Sequence, residues 1–188
     1  MVGMIEILGL PLHPLLIHLP VVLFPALALF LLGYLLVPRL RQRIGWLVMT
    51  LSVLTPAAVV AGWWSGHRFY DEHIEMITAA GASTETFENL LADHMANGDV
   101  VVWLVPPLAP LIWLFGALER GRRSAAASLT APATDGQESA PTGTDPAAKG
   151  RRVVMVVLAL VILGLAGVAG YYVFETGHTG AEAVWGTP

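Results

Sequence analysis

The stretch LHPLLIHLPVVLFPALALFLLGYLLV, residues Leu12 to Val37, decides the fold, because it carries two histidines and no acidic or other basic side chain. A hydrocarbon layer of roughly 30 Å takes about 20 residues of helix, so this run is long enough to cross a bilayer. Three more runs qualify, at residues 44–64, 100–118 and 153–174. All four are continuously apolar, without the two-residue alternation of barrel strands, and so read as helices. The whole chain agrees: 55% hydrophobic, 13% charged and a mean hydropathy of +0.66 are proportions that 188 residues cannot hide in one water-soluble core. The expected fold is all-α, an integral membrane four-helix bundle. The first run has no basic residue ahead of it and is too long for a cleaved signal, so it is expected to stay in the mature protein.

Charge orients the bundle. Arg39, Arg41 and Arg43 fill the first short loop, and Arg120, Arg122, Arg123, Lys149, Arg151 and Arg152 flank the connection between the third and fourth runs, so nine of the ten basic residues lie on one side. Lys and Arg accumulate in cytoplasmic loops. This predicts a multi-pass protein of the bacterial cytoplasmic (inner) membrane with both termini extracytoplasmic, leaving Arg68 as the one external basic side chain. Trp63, Trp64, Trp103 and Trp185 near the outer boundary and Trp46 near the inner one suit an interfacial belt.

The two long connections differ in composition. Residues 124–148, SAAASLTAPATDGQESAPTGTDPAA with its flanks, have almost no bulky apolar side chain to offset chain entropy and are expected to form a disordered cytoplasmic linker. Residues 65–99 mix aromatic, apolar and acidic residues at helical spacing, and Ser83 with Thr84 supplies helix-start chemistry ahead of Phe87, Leu90 and Leu91. Two short helices on the external surface are expected there.

On this topology all six histidines, His13, His18, His67, His73, His94 and His178, fall on the external side. His18 lies about five residues into the first run, where ionisable groups usually face the bundle or a wet cavity. His13 and His18, five apart, can share a site only if the Pro14–Pro20 region departs from regular helix. His94 precedes the third run in DHMANGD, where Gly98 allows close approach. His178 follows the fourth run in ETGHTGAEAVW, where Gly177 can end the helix and Gly180 free the next turn. His67 and His73 are expected to be solvated or paired with Asp71, Glu72 or Glu75.

GLPLHPLLIHLP at the first helix, DHMANGD before the third and GHTGAEAVWG after the fourth resemble the bacterial four-helix membrane family catalogued as domain of unknown function 2231, particularly its actinobacterial branch. The resemblance covers nearly the whole chain apart from the inner linker. It implies the fold and the membrane location, and it places the family's motif histidines on His13, His18 and His94. Many relatives have glycine where this chain has His178, and some are joined to cytochrome-like domains, which hints at electron transfer. The family brings no established activity.

Three functions compete. The first, and the one the sequence favours, is a b-type haem electron-transfer module with His18 and His94 as preferred axial ligands, His13 nearby and Arg68 pairing with a propionate. The second is an external divalent transition-metal site built from His13, His18, His94 and His178, for which neutral imidazole suits Zn, Cu and Ni and the ten external acids of fourteen would attract cations. The third holds no cofactor: an accessory or assembly subunit packed against a membrane redox partner or another copy. Without cysteine there is no thiolate metal site or c-type haem attachment, and no nucleophile elbow, metalloprotease helix or phosphate loop is present, so conventional hydrolase chemistry is poorly supported. Nucleic acid is not an expected partner, since topology accounts for the basic residues; the lipid bilayer is. Within the third run, Pro106, Pro107 and Pro110 must break the helix.

Overall fold

The computed structural model describes residues 6–130 and 146–186. A two-residue hairpin, β1 (Glu6–Ile7) against β2 (Leu10–Pro11), opens the described chain, with Leu8 and Gly9 both at positive φ in its turn. Six helices follow: α1 (Leu12–Leu16), α2 (His18–Leu36), α3 (Arg41–Ala79), α4 (Glu85–Leu104), α5 (Leu108–Thr130) and α6 (Pro146–Trp185). They make four rods, α1–α2, α3, α4–α5 and α6, each long and apolar enough to cross a membrane. This is the expected all-α four-helix architecture.

Each rod packs on its neighbours in sequence, and α2 closes the ring against α6. The short connections at residues 37–40 and 80–84 favour such up-and-down order among the first three rods. Phe24, Leu27 and Leu31 of α2, Val48 and Val59 of α3, Val105, Leu108, Ile112 and Phe115 along the third rod, and Ile162 and Ala169 of α6 form the core. The opposite faces stay apolar: Leu29 and Leu160 are 67% and 64% exposed. A surface of that kind belongs against lipid rather than water.

The third rod is broken where its prolines predict. After α4 ends, Leu108 donates to the Val105 carbonyl at 3.1 Å and Ala109 to that of Pro106 at 3.1 Å. These short-range bonds carry the chain through residues whose prolines supply no N–H. Val105 and Leu108 on either side are fully buried, so the break lies inside the core.

Three expected boundaries are corrected. The helices of residues 65–99 exist as extensions of the spans rather than as separate surface helices, since α3 runs to Ala79 and α4 is already helical from Glu85. No proline interrupts residues 57–79, so nothing stops α3 at the membrane boundary. At about 1.5 Å per residue its length is roughly 58 Å, so its end stands well clear of a bilayer. A Schellman cap closes it, with Ala82 donating to Ile77 and Gly81 to Thr78, and Gly81 at φ 72°. Residues 124–130 of the expected linker continue α5, and 146–148 open α6; residues 131–145 lie outside the described residues. Alanine-rich SAAAS favours helix strongly enough to extend the rod. Finally, α6 runs past Gly177 and Gly180 to Trp185, because its packing on α4 supports helix through both glycines.

Candidate functional site

At the bundle end opposite the arginine-rich loop, α1 packs on α3 and α4 packs on α6. His13 comes from α1 and is half-buried. Its Nδ1 lies 3.1 Å from the hydroxyl of Ser65 on α3, and that hydroxyl donates to the Gly62 carbonyl at 2.9 Å. With its proton committed to the carbonyl, the Ser65 oxygen is left to accept from Nδ1–H of His13. The neutral ring therefore carries its lone pair on Nε2.

His94 on α4 arrives at the same state by another route. Its Nδ1 is 2.9 Å from the Thr176 carbonyl on α6, which can only accept, so Nδ1 is again the protonated nitrogen. The two rings stand 6.2 Å apart between centroids, at 74°. Glycine seats each ring: a Cβ on Gly66 would meet His13 Cε1 at 3.0 Å, and one on Gly180 would meet His94 Nδ1 and Cε1 at 2.9 Å. Gly98, which was expected to admit a ligand or a helix, faces the Thr176 side chain at ordinary contact distance.

A cavity of about 20 Å³ adjoins His13, lined among others by Ser65, Arg68, Phe69 and Glu72. It is large enough for one water molecule. The Phe69 ring lies 6.0 Å from that of His13. The Glu72 side chain is 11% exposed and its Oε1 has no hydrogen bond; Arg68 Nη2 stands 3.9 Å away, an ion pair without hydrogen-bond contact.

The other sequence candidates fall elsewhere. His18 is exposed and donates from Nδ1 to the Pro14 carbonyl one turn back at 2.7 Å, with no ring contact to His94. The break at Ile17 is mild, and Ile17 keeps right-handed helical angles, so His13 and His18 leave the rod in different directions. The pair that meets is His13 with His94, not His18 with His94. His178 is exposed, stacked on Phe174 and 3.3 Å from Glu182. His67 pairs with Asp99 of α4 at 3.5 Å rather than with its nearer acids, and bonds the Trp63 carbonyl. His73 bonds the Phe69 carbonyl, lies tilted against the Phe69 ring and stacks on Phe87. Arg68, expected to await a propionate, has Glu72 as its neighbour.

Among the described residues, then, His13 and His94 commit Nδ1 to a different rod, while Nδ1 of His18, His67 and His73 bonds the carbonyl four residues back and His67 reaches Asp99 through Nε2. No group of three His, Cys, Asp or Glu converges among the described residues. Sequence reasoning missed Ser65 and Gly66, and read Glu72 as a partner for His67 or His73 rather than as a wall of the cavity beside His13. The small-residue step Ser65–Gly66 inside an otherwise bulky helix was the available signal. No family model, no curated protein and no solved structure matches the chain.

Proposed function

We propose that the protein is a cytoplasmic-membrane protein that holds a single transition-metal ion between the Nε2 atoms of His13 and His94, on the extracytoplasmic side. The observation that carries this reading is the shared tautomer: both rings spend Nδ1–H on a tertiary partner and keep an Nε2 lone pair, the arrangement by which second-shell acceptors orient ligating imidazoles. Two nitrogens each about 2 Å from one ion, with ring radii added, set centroids roughly 5 Å apart at a tetrahedral angle and roughly 6 Å apart when opposed, so the 6.2 Å found suits near-opposed ligation. Two neutral imidazoles suit copper or zinc, with water completing the shell. The extracytoplasmic assignment is supported by the nine basic residues gathered at the far end.

Haem between the same two rings is the second reading, favoured by the same separation and by Arg68 beside His13 as a partner for a propionate. A porphyrin, however, needs α1 to part from α4, since the adjoining cavity is water-sized. The ion requires no such opening.

Detergent-purified protein titrated with Zn²⁺ and, anaerobically, with Cu⁺ against a competing chelator tests the proposal. One ion per chain is expected, lost in His13→Ala and in His94→Ala and kept in His18→Ala. Binding weakens on acidification, because protonation removes each Nε2 lone pair. No stoichiometric binding in the parent protein, or equal loss in His18→Ala, would sink the assignment and leave His13 and His94 as clamps between helices. A Soret band after expression with haem, abolished by either of the two expected substitutions, would establish the second reading instead.

A further inference from the structure

The opposite end of the bundle carries a second built site. Glu119 of α5, 3% exposed, accepts from Arg41 at 3.2 Å, from Arg122 at 2.8 and 3.0 Å, and from Arg123 at 2.8 Å. All three Arg41 nitrogens are engaged: beside the bond to Glu119, Nε and Nη2 donate to the Tyr34 and Leu35 carbonyls at the end of α2, at 2.9 and 2.8 Å. The carboxylate is saturated, and positive charge is left over.

Beside it lies a cavity of about 240 Å³ whose lining includes Tyr34, Arg41, Trp46, Glu119, Arg120 and Arg123. Three arginines against one carboxylate leave that lining at net +2. Arg120 has no acidic partner and no hydrogen bond among the described residues, and Arg123 spends only Nε on Glu119, keeping its two Nη groups. Tyr34 is 3% exposed, yet its hydroxyl bonds nothing among the described residues and stands 3.3 Å from where a Gly116 Cβ would be. Gly116 keeps the floor open, because a Cβ there would also strike Met49 at 2.6 Å. Free guanidinium donors and a free hydroxyl around one cavity call for a tetrahedral oxyanion.

We infer that this cavity seats the phosphate of an anionic phospholipid headgroup, with Arg120, Arg123 and the Tyr34 hydroxyl as donors. Two features favour a lipid over a free anion. The cavity sits where the apolar run of α2 gives way to Arg39–Arg43, the level of a headgroup layer, and Trp46 on its rim is 69% exposed, as an interfacial indole is. Basic pockets between transmembrane helices are suited to such headgroups.

Native mass spectrometry of the detergent-purified full chain, titrated with phosphatidylglycerol, phosphatidylcholine or inorganic phosphate, tests this. Both lipids present a phosphate, but the choline cation would be repelled by a lining of net +2, so phosphatidylglycerol is expected to bind about tenfold more tightly than phosphatidylcholine. Arg120→Gln should erase that preference, whereas Arg39→Gln, which removes the same charge from an exposed position outside the cavity, should keep it within about twofold. Tyr34→Phe removes a donor to the phosphate while keeping the buried ring and should weaken phosphatidylglycerol several-fold; it serves if Arg120→Gln does not fold, and an unchanged affinity would overturn the site. Equal losses in Arg120→Gln and Arg39→Gln would reduce the effect to diffuse surface charge, and no headgroup preference would overturn the site. Inorganic phosphate binding as tightly as the lipid would overturn the lipid assignment in favour of a free-anion site.

Discussion

The His94 ring of α4 packs over Gly180 of α6 where no side chain would fit: a Cβ on Gly180 would stand 2.9 Å from both Nδ1 and Cε1 of the imidazole. The ring occupies the space of a missing side chain, and the Thr176 carbonyl one turn earlier takes its Nδ1–H. Histidine orientation and helix packing are thus one feature at this point.

Gly180→Ala should therefore push the ring off Thr176, costing about 1–3 kcal/mol of stability as overpacking does and lowering metal affinity with it. Gly177→Ala, on the same helix with nothing within 4 Å, should be neutral or stabilise by up to about 1 kcal/mol through helix propensity. Thermal unfolding of the two variants in one detergent makes the comparison. Similar midpoints would show that the contact is not confining.

Ser65→Ala removes the acceptor that holds His13 in its Nδ1–H tautomer. Loss of a second-shell partner costs about 10–100-fold in metal affinity, and the ring itself is retained. Competition titration against the parent protein reads the change; an unaltered affinity would place His13 outside the ligand set.

Glu119→Gln should destabilise the bundle by about 3–5 kcal/mol, the usual result of removing one partner from a buried ionic cluster. Arg41, only 13% exposed in its side chain, would lose its anion while remaining tied to the end of α2. Arg122→Gln should cost no more than about 1 kcal/mol, because that side chain is 49% exposed. Chemical denaturation of both variants checks the order, which would be reversed if Arg122 rather than Glu119 were the hub.

Topology can be read by single-cysteine labelling, since the chain has no cysteine of its own. Ala82→Cys, in the turn after α3, should react with an impermeant maleimide in intact cells. Gly121→Cys, exposed near the arginine cluster, should react only after the membrane is opened. The opposite pattern would invert the bundle and put the histidine pair in the cytoplasm.

The four rods were legible in the sequence because membrane spans are selected by composition over a length: an unbroken apolar run such as Leu12–Val37 has few other ways to satisfy its backbone in lipid. The break in the third rod was equally legible, since Pro106, Pro107 and Pro110 remove donors whatever surrounds them. Helix ends in polar water carry no such constraint. The spans therefore overran their expected limits at Ala79 and Trp185, and the alanine-rich start of the expected linker joined α5.

By itself, then, the sequence determined an all-α bundle of four apolar rods and a strong segregation of basic residues to one end, as properties of local composition. Only the tertiary structure decided that His94 meets His13 rather than His18, that Ser65 and Thr176 set both tautomers, and that Arg120 has no acidic partner among the described residues while Glu119 binds three neighbours. Five residues of helix between His13 and His18 turn their side chains about 140° apart. Which of the two meets α4 depends on how α1 lies on α3, and that rests on contacts between residues more than fifty positions apart, such as His13 with Ser65.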